Sequence, residues 1–411
     1  MAMSRNKLGP FDWNSGFASV PMKDGGSVTF HRETLILIEV VAQELMISDP
    51  NLKVTHTHTE WSKIVRNAFG LALYDGDLNE SLADKAKVIL INIQSTLNEH
   101  RSRKGLSEYV FGCRLFNSDK FAPIIIGPVC FEARLSWLQK KTQSGEIGSV
   151  TSRRIKNKWL GKKLNNRKPS RESHIEDGIL NSIGDSPFVC SVTVGGFAPE
   201  AGKEKALLVA RIATTAVALL WTNPTVALSG INLMFDRVVR RQYIFSLEEN
   251  GRFRTNSSLS CFPEGQWIDK SDWENIYIEK YDYFVVIGDV LSYVLSPSGL
   301  VKQPRIMNTL AQALQWFHEG CRETYPPIAN VKFAASMDAL AGGGKSGGIH
   351  KLINKRLYIE DEDIIQSNGA TLKEALKQIY SDGRSRFIHG TSDKFGHDWT
   401  SVRGLAEQLT R

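Results

Sequence analysis

Cysteine is scarce and unpaired in this sequence. Cys113, Cys130, Cys190, Cys261 and Cys321 are an odd number and widely scattered, without the spacing of a zinc site or a disulfide framework. A reducing, cytoplasmic setting is therefore expected. Long apolar runs are missing as well. The most apolar stretch, 206–221, is too short for a comfortable membrane span and contains Arg211, so it reads as a buried helix. No membrane partner is expected. The opening MAMSRNKLGPFDW lacks an apolar signal region, which argues against secretion. No internal repeat is visible, and one stretch, Thr151 to Arg171, has no acid at all.

What is present suits a globular chain. With 411 residues, 42% hydrophobic and 23% charged, two or three domains are expected. The net charge is +7, but nine positive charges lie between Thr151 and Arg171 alone, which leaves the remainder close to neutral. Among the nine, Arg153, Arg154, Lys156, Lys158, Lys162 and Lys163 are candidate contacts to RNA phosphates, with Trp159 available for stacking; the alternative is a solvated loop.

The expected fold class is α+β, a mixed N-terminal region followed by an all-α C-terminal bundle. Residues 1–150 read as mostly helical: 34–47, 60–74 and 78–100 carry apolar residues at helical spacing, and 123–135 begins a strand. Residues 151–175 read as a basic loop or linker, because Gly161, Asn165, Asn166 and Pro169 interrupt them. Residues 176–298 read as mixed, with strand-like runs at 187–194, 243–247 and 283–287 and the apolar helix between the first two. Ser296-Pro297-Ser298-Gly299 marks a border, and 299–411 is helical in pattern. Helices are expected at 304–325, 328–340 and 350–358, with a loop at 342–348. Thr371 and Glu374 form a capping box that opens the last long helix.

That last helix holds the chemistry, in IYSDGRSRFIHG (379–390). Leu372, Leu376, Ile379, Gly383 and Phe387 form one core-facing stripe. On a straight α-helix, Arg384 and His389 are separated by roughly 140° around the axis and roughly 7.5 Å along it, flanking the stripe. Histidine can exchange a proton with a ribose 2′-hydroxyl or a leaving oxygen near neutral pH. Arginine offers a fork of donors to phosphate oxygens. Together they suit phosphodiester cleavage without a metal or other cofactor. The plainer alternative is a solvated arginine and a helix-terminal histidine.

The string Tyr380, then Arg384-Ser385-Arg386-Phe387-Ile388-His389-Gly390, resembles the Arg-x4-His motif of HEPN domains, and more closely their ApeA-like branch; FAASMDAL (333–340) resembles that branch's preceding helix. The resemblance covers about the last quarter of the chain. It implies a compact helical bundle that forms a homodimer, brings two motifs together at its axis and cleaves RNA without a metal. It implies Arg384 and His389 as the catalytic pair and Ser385 as a supporting polar residue; the neighbouring Arg386 is a further candidate RNA contact. It also implies a role in phage defence or as a toxin, with a phage-derived trigger or an antitoxin as partner. Thr391 stands where the branch silenced by adenylylation has tyrosine, so that route of silencing is not expected. The alternative function is a catalytically silent HEPN-like dimerisation or RNA-binding module, with the activity elsewhere in the chain.

Two other signals are weaker. Gly342-Gly343-Gly344-Lys345-Ser346 superficially resembles a phosphate loop, but the leading glycine would fall on Ala339, and no strand precedes it. His56, His58 and Glu60 alternate as strand ligands of a metal do, yet they adjoin a helix start, and no metal is expected.

Overall fold

The structure, a computed structural model, describes residues 17–22, 24–75, 81–102, 105–236, 241–259, 265–296, 301–366, 369–394 and 396–411. The chain is α+β and falls into two compact units. One combines Met1–Ser107 with Val194–Lys205 and Ser296–Ser298; the other combines Glu108–Thr193, Ala206–Leu295 and Gly299–Arg411. This division differs from the expected four segments, since the C-terminal helices share their unit with the sheet region. Of the border signal, 297–299 lies outside the described residues, as does Cys261.

In the first unit, β1 (Phe17–Pro21) and β2 (Ser27–His31) form an antiparallel hairpin. Four helices follow: α1 (Arg32–Ser48), α2 (Pro50–Thr55), α3 (His58–Asp75) and α4 (Leu82–Ser102). The three long ones answer the expected periodic segments; the start expected at 78 lies outside the described residues. Val20, Phe30, Ile38, Ala42, Trp61 and Val65 share one core, where the Trp61 indole N–H donates to the Ala42 carbonyl at 3.0 Å. A buried Trp contributes much apolar area, and this bond satisfies its one polar atom.

The alternating histidines are not strand ligands. His56 Nδ1 is 2.9 Å from Thr55 Oγ1, and its ring lies edge-on to Trp61; His58 Nε2 sits 3.1 Å from Glu39. Glu60 instead accepts from the N–H groups of Glu200 and Ala201 at 3.1 and 3.4 Å. These are first-turn donors with no partner inside their own helix.

The second unit is built on a five-stranded sheet of order β4-β5-β6-β3-β7: β3 is Leu106–Arg114, β4 Ile124–Ile126, β5 Val129–Ala133, β6 Phe188–Gly195 and β7 Asn232–Leu233. Helices α5 (Arg134–Gln143), α6 (Ser149–Trp159) and α7 (Arg171–Ile183) lie between β5 and β6, and α8 (Pro199–Ala218) and α9 (Pro224–Gly230) precede β7. On α8, Ala206, Val209, Ala210, Ile212, Ala213, Ala216 and Val217 are fully buried, as an all-round apolar helix requires. A separate hairpin, β8 (Arg241–Leu247) with β9 (Phe253–Leu259), answers the strand-like run at 243–247.

Two expectations fail here. The basic stretch is a helix over its first half, because Thr151, Ile155 and Trp159 recur every four residues and their side packs beside Trp137 and Ile183. Only 160–170 remains non-helical. The run at 283–287 is not a strand. After α10 (Lys270–Glu279) it belongs to α11 (Tyr281–Val294), where Phe284, Ile287 and Leu291 are buried at helical spacing. Gly288 lets α11 touch the β4–β5 turn, since a Cβ there would lie 2.9 Å from the Gly127 nitrogen.

The C-terminal part is helical, with α12 (Pro304–Arg322), α13 (Pro326–Leu340), α14 (Lys345–Leu357) and α15 (Leu372–Leu376). A π-helix at Lys377–Ser385 and α16 (Arg386–Ile388) continue α15, and α17 (Thr400–Thr410) ends the chain. The loop expected over 342–348 is helical from Lys345 onward. Helices α12 and α13 pack closely because Gly320 leaves room for the Phe333 ring, which a Cβ would approach to 2.8 Å. On the other side of α12, His318 Nδ1 meets Thr215 Oγ1 of α8 at 2.8 Å, with Arg211 bonded through Nε to Asp236 at 2.9 and 3.1 Å nearby. No helix among the described residues is long and apolar enough to cross a membrane.

Candidate active site

The motif helix opens as its sequence dictates. Thr371 Oγ1 accepts from the Glu374 N–H at 3.3 Å, and the Glu374 carboxylate accepts from the Thr371 N–H at 3.0 Å. Leu372, Leu376 and Ile379 are fully buried and Gly383 is buried with them, so the core-facing stripe is present; Phe387 is half-buried, edge-on to Trp399.

The winding is not that of a straight α-helix. Residues Lys377–Ser385 are a π-helix, with the Arg386 N–H reaching back five residues to the Ser381 carbonyl. Such windings are rare and concentrate at functional sites. The angle drawn from 100° per residue therefore does not hold along the segment that carries Arg384.

Arg384 is tightly held. Its Nη1 donates to Tyr380 Oη at 2.7 Å, its Nη2 lies 3.2 Å from Asp338 Oδ2 on α13, and its guanidinium sits 5.0 Å from the Tyr380 ring centre. Its Nε is buried without a partner among the described residues. Burial raises the Tyr380 pKa, Arg384 lowers it and the hydrogen-bonded Asp338 raises it further, for a net upward shift. Asp338 Oδ1 also accepts from the Lys345 N–H at 2.9 Å, which ties the glycine-rich loop to the site. That loop is thus clipped to a carboxylate.

His389 occupies the opposite situation. It ends α16, is exposed, and among the described residues its ring makes no hydrogen bond or ion pair. Gly390 follows at φ +67°, a conformation natural to glycine, and terminates the helix. Ser385 is half-buried, and its carbonyl accepts from the His389 N–H at 3.1 Å. No bond joins Arg384 to His389. Arg386 is exposed and faces Asp393 at 3.4 Å and Asp382 at 3.9 Å, while Lys394 lies 3.0 Å from Asp382.

Three aspartates and three cations therefore alternate around the motif. Sequence reading missed the aspartates: Asp338 stands inside the FAASMDAL helix, but its partner is distant in the chain. Lys377, Gln378, Asp382 and Lys394 help to line a neighbouring cleft of about 500 Å³.

The basic segment divides into two sets. Arg154 Nε donates to the buried Glu176 at 2.7 Å and its Nη2 to the Asn165 carbonyl, while Arg167 reaches Glu176 at 3.4 Å and Thr151 at 3.0 Å. Arg154, expected as an RNA contact, is thereby committed to holding α6 on α7. Arg153, Lys156, Lys158, Lys162 and Lys163 are exposed, with no ion pair among the described residues. Trp159 is not a free stacking platform: it is half-buried, with the Arg134 guanidinium 5.0 Å from its ring centre. No group of three or more His, Cys, Asp or Glu residues that could hold a metal occurs among the described residues. No family model matches the chain, and no curated protein or solved structure is significantly similar to it.

Proposed function

We propose that this chain is a metal-independent endoribonuclease of the HEPN type, active as a homodimer and serving in phage defence or as a toxin. The observation that carries it is the contrast within one motif: Arg384 is fixed by Tyr380 and Asp338, while His389 projects unengaged from the next turn. A fixed cation and an unengaged base are what phosphodiester cleavage asks for. His389 takes the 2′-hydroxyl proton as that oxygen attacks phosphorus. Arg384 stabilises the charge on the phosphate oxygens, and the 5′-oxygen leaves with the proton that His389 returns.

The purified protein is expected to cleave RNA in excess chelator, leaving a 2′,3′-cyclic phosphate or its 3′-phosphate product and a 5′-hydroxyl. Activity lost in chelator and restored by magnesium would overturn this mechanism. The silent-module alternative is favoured by one observation, that the Arg384 charge is already neutralised by Asp338. It predicts RNA binding without new ends.

Arg153, Lys156, Lys158, Lys162 and Lys163 are proposed to grip the RNA backbone. Reversing all five to glutamate should weaken binding across sequences and flatten its salt dependence, by about 0.7 in log–log slope for every single-strand phosphate that the variant no longer neutralises. An unchanged affinity and slope, read by fluorescence anisotropy, would leave the patch as a solvated surface.

A further inference from the structure

The segment that carries Arg384 is wound as a π-helix around a side chain from another helix. Asn330 of α13 is fully buried, and its Nδ2 donates to the Ile379 carbonyl at 2.9 Å. In an α-helix that carbonyl accepts from the amide four residues on, Gly383; the π repeat moves the donor to Arg384. Gly383 makes the intrusion feasible, because an ideal Cβ there would overlap Asn330 Nδ2 and lie 3.0 Å from the Gln378 carbonyl. Asn330 Oδ1 is buried with no partner among the described residues. An apolar side chain would fill this space without leaving a polar atom unsatisfied, so packing alone does not explain an asparagine.

We infer that Asn330 is a positioning residue: with Gly383 it selects the π winding of Lys377–Ser385 and so aims Arg384 at Tyr380 and Asp338. The winding fixes where Arg384 emerges. Returning the segment to α geometry removes the extra residue from its turn and rotates the C-terminal end of the helix by roughly 100° relative to α13. Arg384 would then leave the Asp338 carboxylate. The catalytic part of this inference rests on the nuclease proposed above; the structural part does not.

The test uses full-length Asn330→Leu, close in size but unable to donate to Ile379. The buried Arg384 Nε–H should exchange slowly with solvent in the parent protein, with its NMR signal assigned by loss in Arg384→Lys. In Asn330→Leu that exchange should accelerate at least tenfold, and kcat for RNA cleavage should fall at least tenfold with KM within twofold. Parent-like exchange and kcat in a folded Asn330→Leu would overturn the inference. If that variant does not fold, Asn330→Ala/Gly383→Ala removes the lock and its overlap together, with the same expectations. Failure of both to fold would make the pair a folding element and overturn the positioning role. If exchange accelerates while the parent cleaves no RNA, the nuclease proposal falls and the positioning role stands.

Discussion

Replacing His389 with alanine should lower the rate of RNA cleavage by between about 10² and 10⁴, the usual worth of a general acid–base group. Arg384→Ala should cost a comparable factor through lost charge stabilisation. His389→Ala should lose little stability, since His389 is exposed, whereas Arg384→Ala also leaves the mostly buried Asp338 without its cation and should lose more. The sharper result comes from mixing the two. No bond joins Arg384 to His389 within one chain, and an isologous dimer would place two copies of each around a shared groove. If the acting pair is composite, random re-pairing of the two dead variants should recover about a quarter of parental activity, because half of the dimers carry one complete site of two. A mixture that stays dead while remaining dimeric would assign each site to a single chain. A fully active monomer by light scattering would sink the dimer altogether.

The second large effect concerns acid. His318 is 2% exposed on α12, and burial drives its pKa down to about 3; Arg322 and Arg211 push the same way and Asp236 opposes. The folded protein therefore keeps this ring neutral, whereas the unfolded chain protonates it near pH 6.5. Its contribution is complete above pH 6.5 and is lost as pH falls toward 3, at up to about 1.4 kcal/mol per pH unit. By pH 4.5 this single group should have removed between about 2 and 3 kcal/mol. Urea unfolding between pH 7 and 4.5 should show a steep fall in the parent and a shallower one in His318→Gln. Equal slopes would show that the ring does not enter the folded protein neutral.

The legible elements were those whose own residues carry the period. Helices α1, α3 and α12 could be read because their apolar positions recur along one face, α8 because it is apolar nearly all round, and β6 because it alternates before two glycines. The first half of the basic stretch misled because Thr151, Ile155 and Trp159, one turn apart, are hidden among charges. The run at 283–287 misled because β-branched residues in a short window suit either element. In the candidate site, Arg384, Ser385 and His389 were read from the local string. Asp338 and the π winding were not, since both depend on a contact from α13, and hydrogen-bond register is set by that contact rather than by local preference.

The interleaving of the chain has a consequence for synthesis. The first unit needs Val194–Lys205, so it cannot be complete when its first 107 residues leave the ribosome; about 90 residues of the second unit must emerge before it is. Those residues include most of a sheet whose last strand, β7, is made still later. Both units therefore spend translation unfinished, with apolar surface exposed, and neither can be released by a single cut. A fragment beginning near 299 would carry the whole motif yet leave behind α9 and α11, against which α12 packs. Such a fragment tests the stability of an amputated core as much as the chemistry of the motif.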